Sequence, residues 1–175
     1  MKKTVMRNIY IDGANLHRAA LELGFDIDYK KFRGWLRQKY NPSNIYIFLG
    51  YMRNHQNLYL YLERCNFILI FKETIAMNSE IKGNCDAELV LKVVSDFYKE
   101  VYSDVILITG DGDFACLVHF LKENNIPITI LAPSIYKCSF LLRKIDIPIT
   151  FLNDHYHKFS RIIEKEKTPN MDVSI

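Results

Sequence analysis

Long apolar runs are missing from this sequence. No stretch approaches the roughly 20 apolar residues that a membrane-spanning helix needs. The basic residues 1–4 are followed by a segment that Arg7, Asn8 and Asp12 interrupt, which is not the pattern of a signal-peptide core. We therefore expect a cytoplasmic protein with no membrane-embedded part.

Cysteine is also sparse, and its four copies are scattered along the chain. Cys65, Cys85, Cys116 and Cys138 form no Cys-x-x-Cys pair. Cys65 and Cys116 lie in apolar-patterned segments, where cysteine usually acts as a small buried hydrophobe. The spacing therefore argues against a structural zinc site and against a disulfide framework.

Charge of either sign shows little excess, because the formal net charge is only +3. This value neither demands nor excludes a polyanionic partner, since binding depends on whether Lys and Arg gather on one face. Internal repeats are absent too, and 175 residues suit one domain. We predict a domain over residues 1–160 and a polar, flexible C-terminal tail over residues 161–175, because the regular patterns are lost there.

Short β-branched runs alternate with longer segments of helical period. The predicted strands cover residues 5–11, 44–49, 67–71, 105–109, 127–131 and 149–152. The predicted helices cover residues 15–23, 29–39, 55–64, 86–98, 114–123 and 139–144, and residues 72–85 form a loop. Strands separated by helices indicate an α/β fold with a mostly parallel sheet covered on both faces.

Aspartates occupy a particular place in this pattern. Asp12 and Asp111 each stand at the carboxyl end of a predicted strand, and Asp113 precedes a helix. Asp86 opens another helix, one turn before Val90 on the apolar face. Ligand sites of open parallel sheets lie outside the carboxyl ends of the strands, so these acids are expected to meet at one edge.

Each acid also has a structural explanation that involves no ligand. Asp113 and Asp86 could be helix N-caps, Asp12 could close an Asx-turn, and Asn15 could be a capping residue. Taken together, these alternatives require several acids to converge on one edge by accident. Crowded carboxylates repel unless a cation compensates them, and oxygen-rich sites suit Mg²⁺ or Mn²⁺. The joint pattern therefore favours a metal site.

Three blocks of the sequence resemble a known family. They are Ile-Tyr-Ile-Asp-Gly-Ala-Asn-Leu (residues 9–16), Lys-Gly-Asn-Cys-Asp-Ala-Glu-Leu-Val-Leu (82–91) and Ile-Thr-Gly-Asp-Gly-Asp-Phe (108–114). Each block is weak alone, but the three in this order resemble the NYN domain, the LabA-like branch of the PIN-like nucleases. The resemblance covers roughly residues 5–152.

The resemblance implies a PIN-like Rossmannoid three-layer sandwich with strand order 3-2-1-4-5. It also implies a metal-dependent nuclease acting mainly on RNA, and we expect an endoribonuclease of single-stranded RNA. Asp12, Asp86, Asp111 and Asp113 look like the metal-binding acids of this family, which would hold Mg²⁺ or Mn²⁺. Asn15 looks like the polar residue that supports the first acid or a bound water.

One position departs from the family pattern. Many relatives carry a second acid near position 92, and this chain has Lys92. Glu88 and Asp96 lie nearby, but neither shares the helix face of Asp86, so one ion is a safer expectation than two. We hypothesise that Asp12 and Asp111 hold the principal ion, with the other two acids completing its coordination or holding a second ion.

Candidate substrate contacts come from basic residues near the acids. Arg53 follows the second predicted strand of the sheet and Lys82 precedes Asp86, so either could contact phosphates or be solvated surface charge. Tyr51 could stack on a base or simply pack. The basic helix that carries Trp35 could be an RNA track or a solvated helix face.

Two rival functions remain at this point. An aspartyl-phosphate phosphohydrolase would need a second Asp two positions after Asp12, where the chain has Ala14. A non-catalytic NYN-fold adaptor that binds RNA or protein is favoured by Lys92 and opposed by the retained acids. A homodimer is compatible with the sequence, although no surface stripe demands one.

Overall fold

The computed structural model describes residues 6–72 and 85–162, except for the side chain of residue 162. Its helices are α1 (Gly13–Glu22), α2 (Tyr29–Tyr40), α3 (Gln56–Arg64), α4 (Asp86–Tyr98), α5 (Ala115–Glu123) and α6 (Phe140–Arg143). Its strands are β1 (Arg7–Asp12), β2 (Phe25–Ile27), β3 (Asn44–Gly50), β4 (Ile68–Lys72), β5 (Asp104–Ile108), β6 (Ile128–Ala132), β7 (Ile149–Phe151) and β8 (Ser160–Ile162). Among these described helices, none combines the length and the apolar character that a membrane crossing requires.

The central sheet has six parallel strands in the order β4-β3-β1-β5-β6-β7. The α/β class predicted from the sequence is therefore confirmed. Five of these strands follow the expected order 3-2-1-4-5, and β7 adds a sixth strand beside β6. The winding direction reverses between β1 and β5, and this is where open parallel sheets place their ligands.

Side chains of the strands alternate between two cores. Ile9 and Ile11 of β1 pack with α1, α2 and α3 on one face of the sheet. Tyr10, between them, packs with α4, α5 and α6 on the other face. Because both faces are covered, the strands are near-continuous apolar runs, as the three-layer prediction requires.

Capping residues set the limits of the helices. Asp28 begins α2, because its side chain accepts a hydrogen bond of 3.0 Å from the Lys31 N–H. Asn41 ends α2 in the left-handed conformation, with φ of 47°. Local polar residues therefore fix where α2 starts and stops, while its buried face fixes how it packs.

A second, two-stranded sheet was not predicted. β2 and β8 pair antiparallel, with Asp26 opposite Arg161. β8 reaches two residues past the boundary predicted at residue 160. Residues 163–175, which hold most of the predicted tail, lie outside the described residues, so the flexible tail stays a prediction.

Gly34 offers a simple test of the α2 assignment. It lies inside the helix, and a Cβ there would meet no atom within 4 Å. Gly34→Ala should therefore stabilise the fold by about 0.5–1 kcal/mol, because alanine loses less backbone entropy than glycine in a helix. Urea unfolding followed by circular dichroism measures this change. A lower free energy of unfolding in the variant would contradict the helical assignment.

Candidate functional site

The site lies at the carboxyl edge of β1 and β5, where these neighbouring strands end in register at Ile11 and Ile108. After β1 the chain enters α1, on one face of the sheet. After β5 it enters α5, on the other face. A crevice therefore lies at this sheet edge, between the start of α1 and the start of α5. Helix α4 packs against β1, and its first residue, Asp86, lies at the same edge.

Three aspartates converge in this crevice. Asp86, Asp111 and Asp113 each offer a carboxylate oxygen that lies within 4.8 Å of the other two. Asp86 and Asp111 are half-buried and Asp113 is exposed. Ligand oxygens around one Mg²⁺ ion at about 2.1 Å are separated by at most about 4.2 Å, so small side-chain movements bring these three onto one ion. The donor set, three hard carboxylate oxygens, fits Mg²⁺ or Mn²⁺.

Hydrogen bonds hold the loop that carries two of these acids. The Asp111 N–H donates to the Thr109 hydroxyl oxygen at 3.1 Å, and Asp111 Oδ1 accepts from the Asp113 N–H at 3.0 Å. Asp111 therefore caps the short turn Gly112–Phe114. Asp111, and not Asp113, is therefore the capping residue of this turn. The Asp113 carboxylate is exposed at the edge of the site.

Asp12 is not a member of the three-acid group. Its carboxylate accepts from the Asn15 N–H at 3.1 Å and from the Thr109 hydroxyl at 3.2 Å. Burial raises the pKa of Asp12 above its ordinary value, and the nearby charge of Asp111 adds to this, while the two hydrogen bonds oppose it. Asp12 is thus close enough to Asp111 for their charges to interact.

Asn15 and Thr109 connect the two strand ends. The Asn15 side-chain oxygen accepts from the Gly110 N–H at 3.0 Å, which ties α1 to the loop carrying Asp111. The Thr109 hydroxyl donates to the carboxylate of Asp12 and accepts from the Asp111 N–H. Both residues therefore fix the position of one acid relative to the other, as a rigid site requires.

Comparison with known proteins identifies the family. The chain matches the family model of the NYN domain over residues 8–144. It belongs to the NYN domain family. No curated protein matches it. Its NYN domain is similar to the crystal structure of a protein of unknown function, VPA0982 from Vibrio parahaemolyticus RIMD 2210633, with a TM-score of 0.75 and 20% identity over 92% of this chain and 99% of that one. At this identity the likeness shows a shared fold alone.

Lys92, which departs from the pattern expected of an NYN domain, pairs with Asp96 one turn further along α4. Its Nζ lies 2.6 and 2.7 Å from the two carboxylate oxygens of Asp96 and 4.5 Å from the centre of the Tyr46 ring. Asp96 is buried and also accepts from the Tyr10 hydroxyl at 2.8 Å. The pair is therefore part of the core around α4, and Asp96 does not replace the missing acid.

Glu88 is a further carboxylate near Asp86, although the sequence pattern placed it on a different helix face and gave it no role in the metal site. Its Oε2 atom is buried and has no hydrogen-bond partner among the described residues. Burial raises the pKa of the Cys85 thiol, and the charges of Glu88 and Asp12 add to the shift. Glu88 thus lies close to the start of α4, near Asp86. Helix phase alone could not reveal the burial of Glu88 Oε2, because this burial depends on how α4 packs against the sheet.

The Asp96 pair supports a prediction about stability. Asp96→Asn should lower the free energy of unfolding by about 2 kcal/mol, because a buried charge-assisted hydrogen bond is lost while the acceptor for Tyr10 is kept. Chemical denaturation measures the loss. Mn²⁺ affinity should be unchanged, and a weaker affinity would show that Asp96 does contribute to the acid site.

The predicted substrate residues have different outcomes. Arg53 is exposed in a turn that follows β3, at the same sheet edge as Asp12. Tyr51 packs between Tyr59 and Phe71, with ring centroids at 5.8 and 5.6 Å. Trp35 is buried, so it offers no stacking surface. Lys82 lies outside the described residues and stays a prediction.

A cavity of about 550 Å³ lies beside the carboxyl ends of β1 and β3. It is lined by parts of α1 and α3, and its rim reaches Gly13 and Ala14, directly after Asp12. None of the three clustered aspartates lines it. The three aspartates therefore lie outside this cavity, and the exposure of Asp113 suits a polymer better than an enclosed small molecule.

Proposed function

We propose that this NYN domain is a metal-dependent ribonuclease that hydrolyses phosphodiester bonds within single-stranded RNA. The observation that supports this most is the convergence of Asp86, Asp111 and Asp113 at the switch point between β1 and β5. NYN domains are generally nucleases, and PIN-like nucleases usually use divalent metals. The acids of this chain thus lie where both the fold and the family would place a nuclease centre.

The proposed ligands of the ion are the three clustered carboxylates. Asp111 lies at the end of the central strand β5, Asp86 comes from α4, and Asp113 closes the set from the exposed side. A divalent ion at such a site supplies positive charge to the scissile phosphate and acidity to a water molecule. The prediction that Asp12 and Asp111 together hold the principal ion stays a prediction, and the present proposal gives Asp12 a positioning role instead.

Asp12, Thr109 and Asn15 are assigned a positioning role. Thr109 bridges the Asp12 carboxylate and the Asp111 N–H, and Asn15 holds Gly110. These bonds fix the Asp111 loop before any ion arrives, which reduces the reorganisation that binding requires. Asp12 also adds a negative charge beside Asp111, and this raises the attraction of the site for a cation.

An adaptor that has lost turnover is the second candidate. It is favoured by Lys92, whose ammonium group is engaged with Asp96 where relatives carry another acid. Against it stands the retained carboxylate cluster, because a surface that only binds phosphates gains nothing from three negative charges. The two functions differ in whether RNA is cut or only bound.

Incubation of the purified protein with labelled single-stranded RNA separates the two. Cleavage should appear with Mn²⁺ or Mg²⁺, and should be lost with EDTA and with Asp113→Asn. Asp146→Asn, an exposed acid remote in sequence from the cluster, is the matched control and should cut at the wild-type rate. Cleavage that survives EDTA would contradict the metal mechanism, and binding without any cleavage would identify an adaptor. A parallel single-stranded DNA arm tests the preference for RNA.

A further inference from the structure

An unusual concentration of exposed apolar side chains lies between β6 and the end of α6. Tyr136 is 91% exposed, Phe140 is 68% exposed, and Ile135 and Leu141 are each 45% exposed. Single exposed apolar residues are normal on protein surfaces, but four within seven residues form a patch. Beneath them, Cys138 and Leu142 are buried in the core, so the patch has a fixed base.

Basic side chains are interleaved with this patch. Lys137, Arg143 and Lys144 are all exposed, and no acid occurs between residues 134 and 145. Lys137 forms an ion pair with Glu22 of α1. Aromatic and basic side chains on one surface are the combination that proteins use for single-stranded nucleic acids.

This surface is joined to the acid cluster. The Ser139 N–H donates to the Gly110 carbonyl oxygen at 2.8 Å. Ser139 and Leu141 pack against Gly112, the residue between Asp111 and Asp113. The patch therefore starts directly beside the proposed metal ligands and lies on the same face of the sheet as α4 and α5.

We propose that the exposed side chains of residues 135–144, here called the aromatic ledge, bind single-stranded RNA next to the cleaved phosphate. Tyr136 and Phe140 stack on bases, and Arg143 and Lys144 contact backbone phosphates. The proposal rests on the ribonuclease function and adds the surface that holds its substrate. Because every base has a flat face, the ledge grips RNA with little preference for sequence.

Charge favours RNA over a second copy of the chain as the occupant. In a two-fold dimer formed through the ledge, the same patch would face itself, and three basic side chains would approach their own copies. Such like-charge contacts oppose association. A polyanion instead neutralises the same side chains while its bases cover the aromatic rings.

RNA binding without cleavage tests the ledge directly. A short fluorescein-labelled oligouridylate is titrated with protein in EDTA, and fluorescence anisotropy gives Kd. Tyr136→Ala and Phe140→Ala should each weaken binding by about 5- to 100-fold, the range that loss of one base-stacking contact produces. Phe140→Tyr should restore wild-type Kd. Tyr98→Ala, which removes a 74% exposed aromatic side chain at the far end of α4, is the matched control and should leave Kd unchanged.

Salt dependence tests the basic side chains separately. Arg143→Gln and Lys144→Gln should each reduce the slope of log Kd against log salt concentration by about 0.7, because each loses one contact with a phosphate of a single strand. The aromatic variants should leave this slope unchanged. A loss of slope in an aromatic variant that unfolds at the wild-type temperature would overturn the assignment of stacking and phosphate contacts to different residues.

The outcomes separate the ledge from the ribonuclease function. If the ledge variants bind and cut RNA with wild-type Kd and KM, the proposed RNA-binding role of the ledge is wrong, whereas the proposed ribonuclease function is unaffected. If the wild type binds through the ledge but never cuts with Mn²⁺, the nuclease is wrong and the ledge stands. If light scattering shows a wild-type dimer that Tyr136→Ala makes monomeric, the ledge is a protein interface and the RNA proposal is overturned.

Discussion

Asp111→Asn is expected to lower the rate of Mn²⁺-dependent RNA cleavage by at least about 100-fold, the upper end of the loss seen when supporting groups of a metal site are removed. Asp111 belongs to the three-acid group, and its charge also interacts with that of Asp12. Asparagine keeps an oxygen that can accept from the Asp113 N–H, so the turn Gly112–Phe114 should form normally. The loss then reports on the charge of the carboxylate and not on the fold.

Single-turnover cleavage with saturating enzyme measures this effect. Asp146→Asn makes the same chemical change at an exposed position and serves as the matched control. Equal thermal unfolding temperatures of the metal-free proteins would show that the variant folds. A folded Asp111→Asn variant that cuts at the wild-type rate would rule out the assignment of Asp111 as a metal ligand.

Gly110→Ala should be the most destabilising single substitution considered, with a loss of about 3 kcal/mol or more in the free energy of unfolding. A Cβ at this position would overlap the backbone carbonyl oxygen of Lys137, which cannot rotate away as a side chain could. The two loops would have to separate, and the hydrogen bond from the Ser139 N–H to the Gly110 carbonyl would be lost. The acid loop and the aromatic ledge would therefore be displaced together.

Gly34→Ala is the control for this substitution, because it makes the same change where no atom lies within 4 Å. Urea unfolding of the two variants should show opposite signs, with Gly34→Ala stabilised and Gly110→Ala strongly destabilised. The folded fraction of Gly110→Ala should also bind Mn²⁺ more weakly. A variant with wild-type stability would mean that the Gly110 loop does not contact the Lys137 backbone.

Strand-end geometry predicted that aspartates gather at this edge of the sheet. Asp12 and Asp111 directly follow apolar strand runs, and the parallel arrangement brings the two ends together without further information. Asp86 was placed from helix phase, and the structure puts it beside Asp111. These three positions depend on periods of two and 3.6 residues, which are local properties of the sequence.

Other features depend on contacts between distant residues. The hydrogen bond from the Thr109 hydroxyl to the Asp12 carboxylate joins residues at the ends of two different strands, and no periodic pattern contains it. The Lys92–Asp96 pair has the usual spacing of a helical ion pair, but its burial arises only when Tyr10 packs on α4. The strand pair β2–β8 joins residues 25–27 to residues 160–162, and each strand is too short to show a pattern.

Anomalous scattering from crystals grown with Mn²⁺ tests the central claim most directly. The account predicts one strong peak bound by carboxylate oxygens of Asp86, Asp111 and Asp113 at about 2.2 Å, close to the distances of other small divalent ions in oxygen sites. The peak should vanish in Asp111→Asn crystals and persist in Asp146→Asn crystals. A wild-type crystal with no peak at these three acids, or with its only strong peak elsewhere, would contradict the claim that this edge of the sheet is a metal centre.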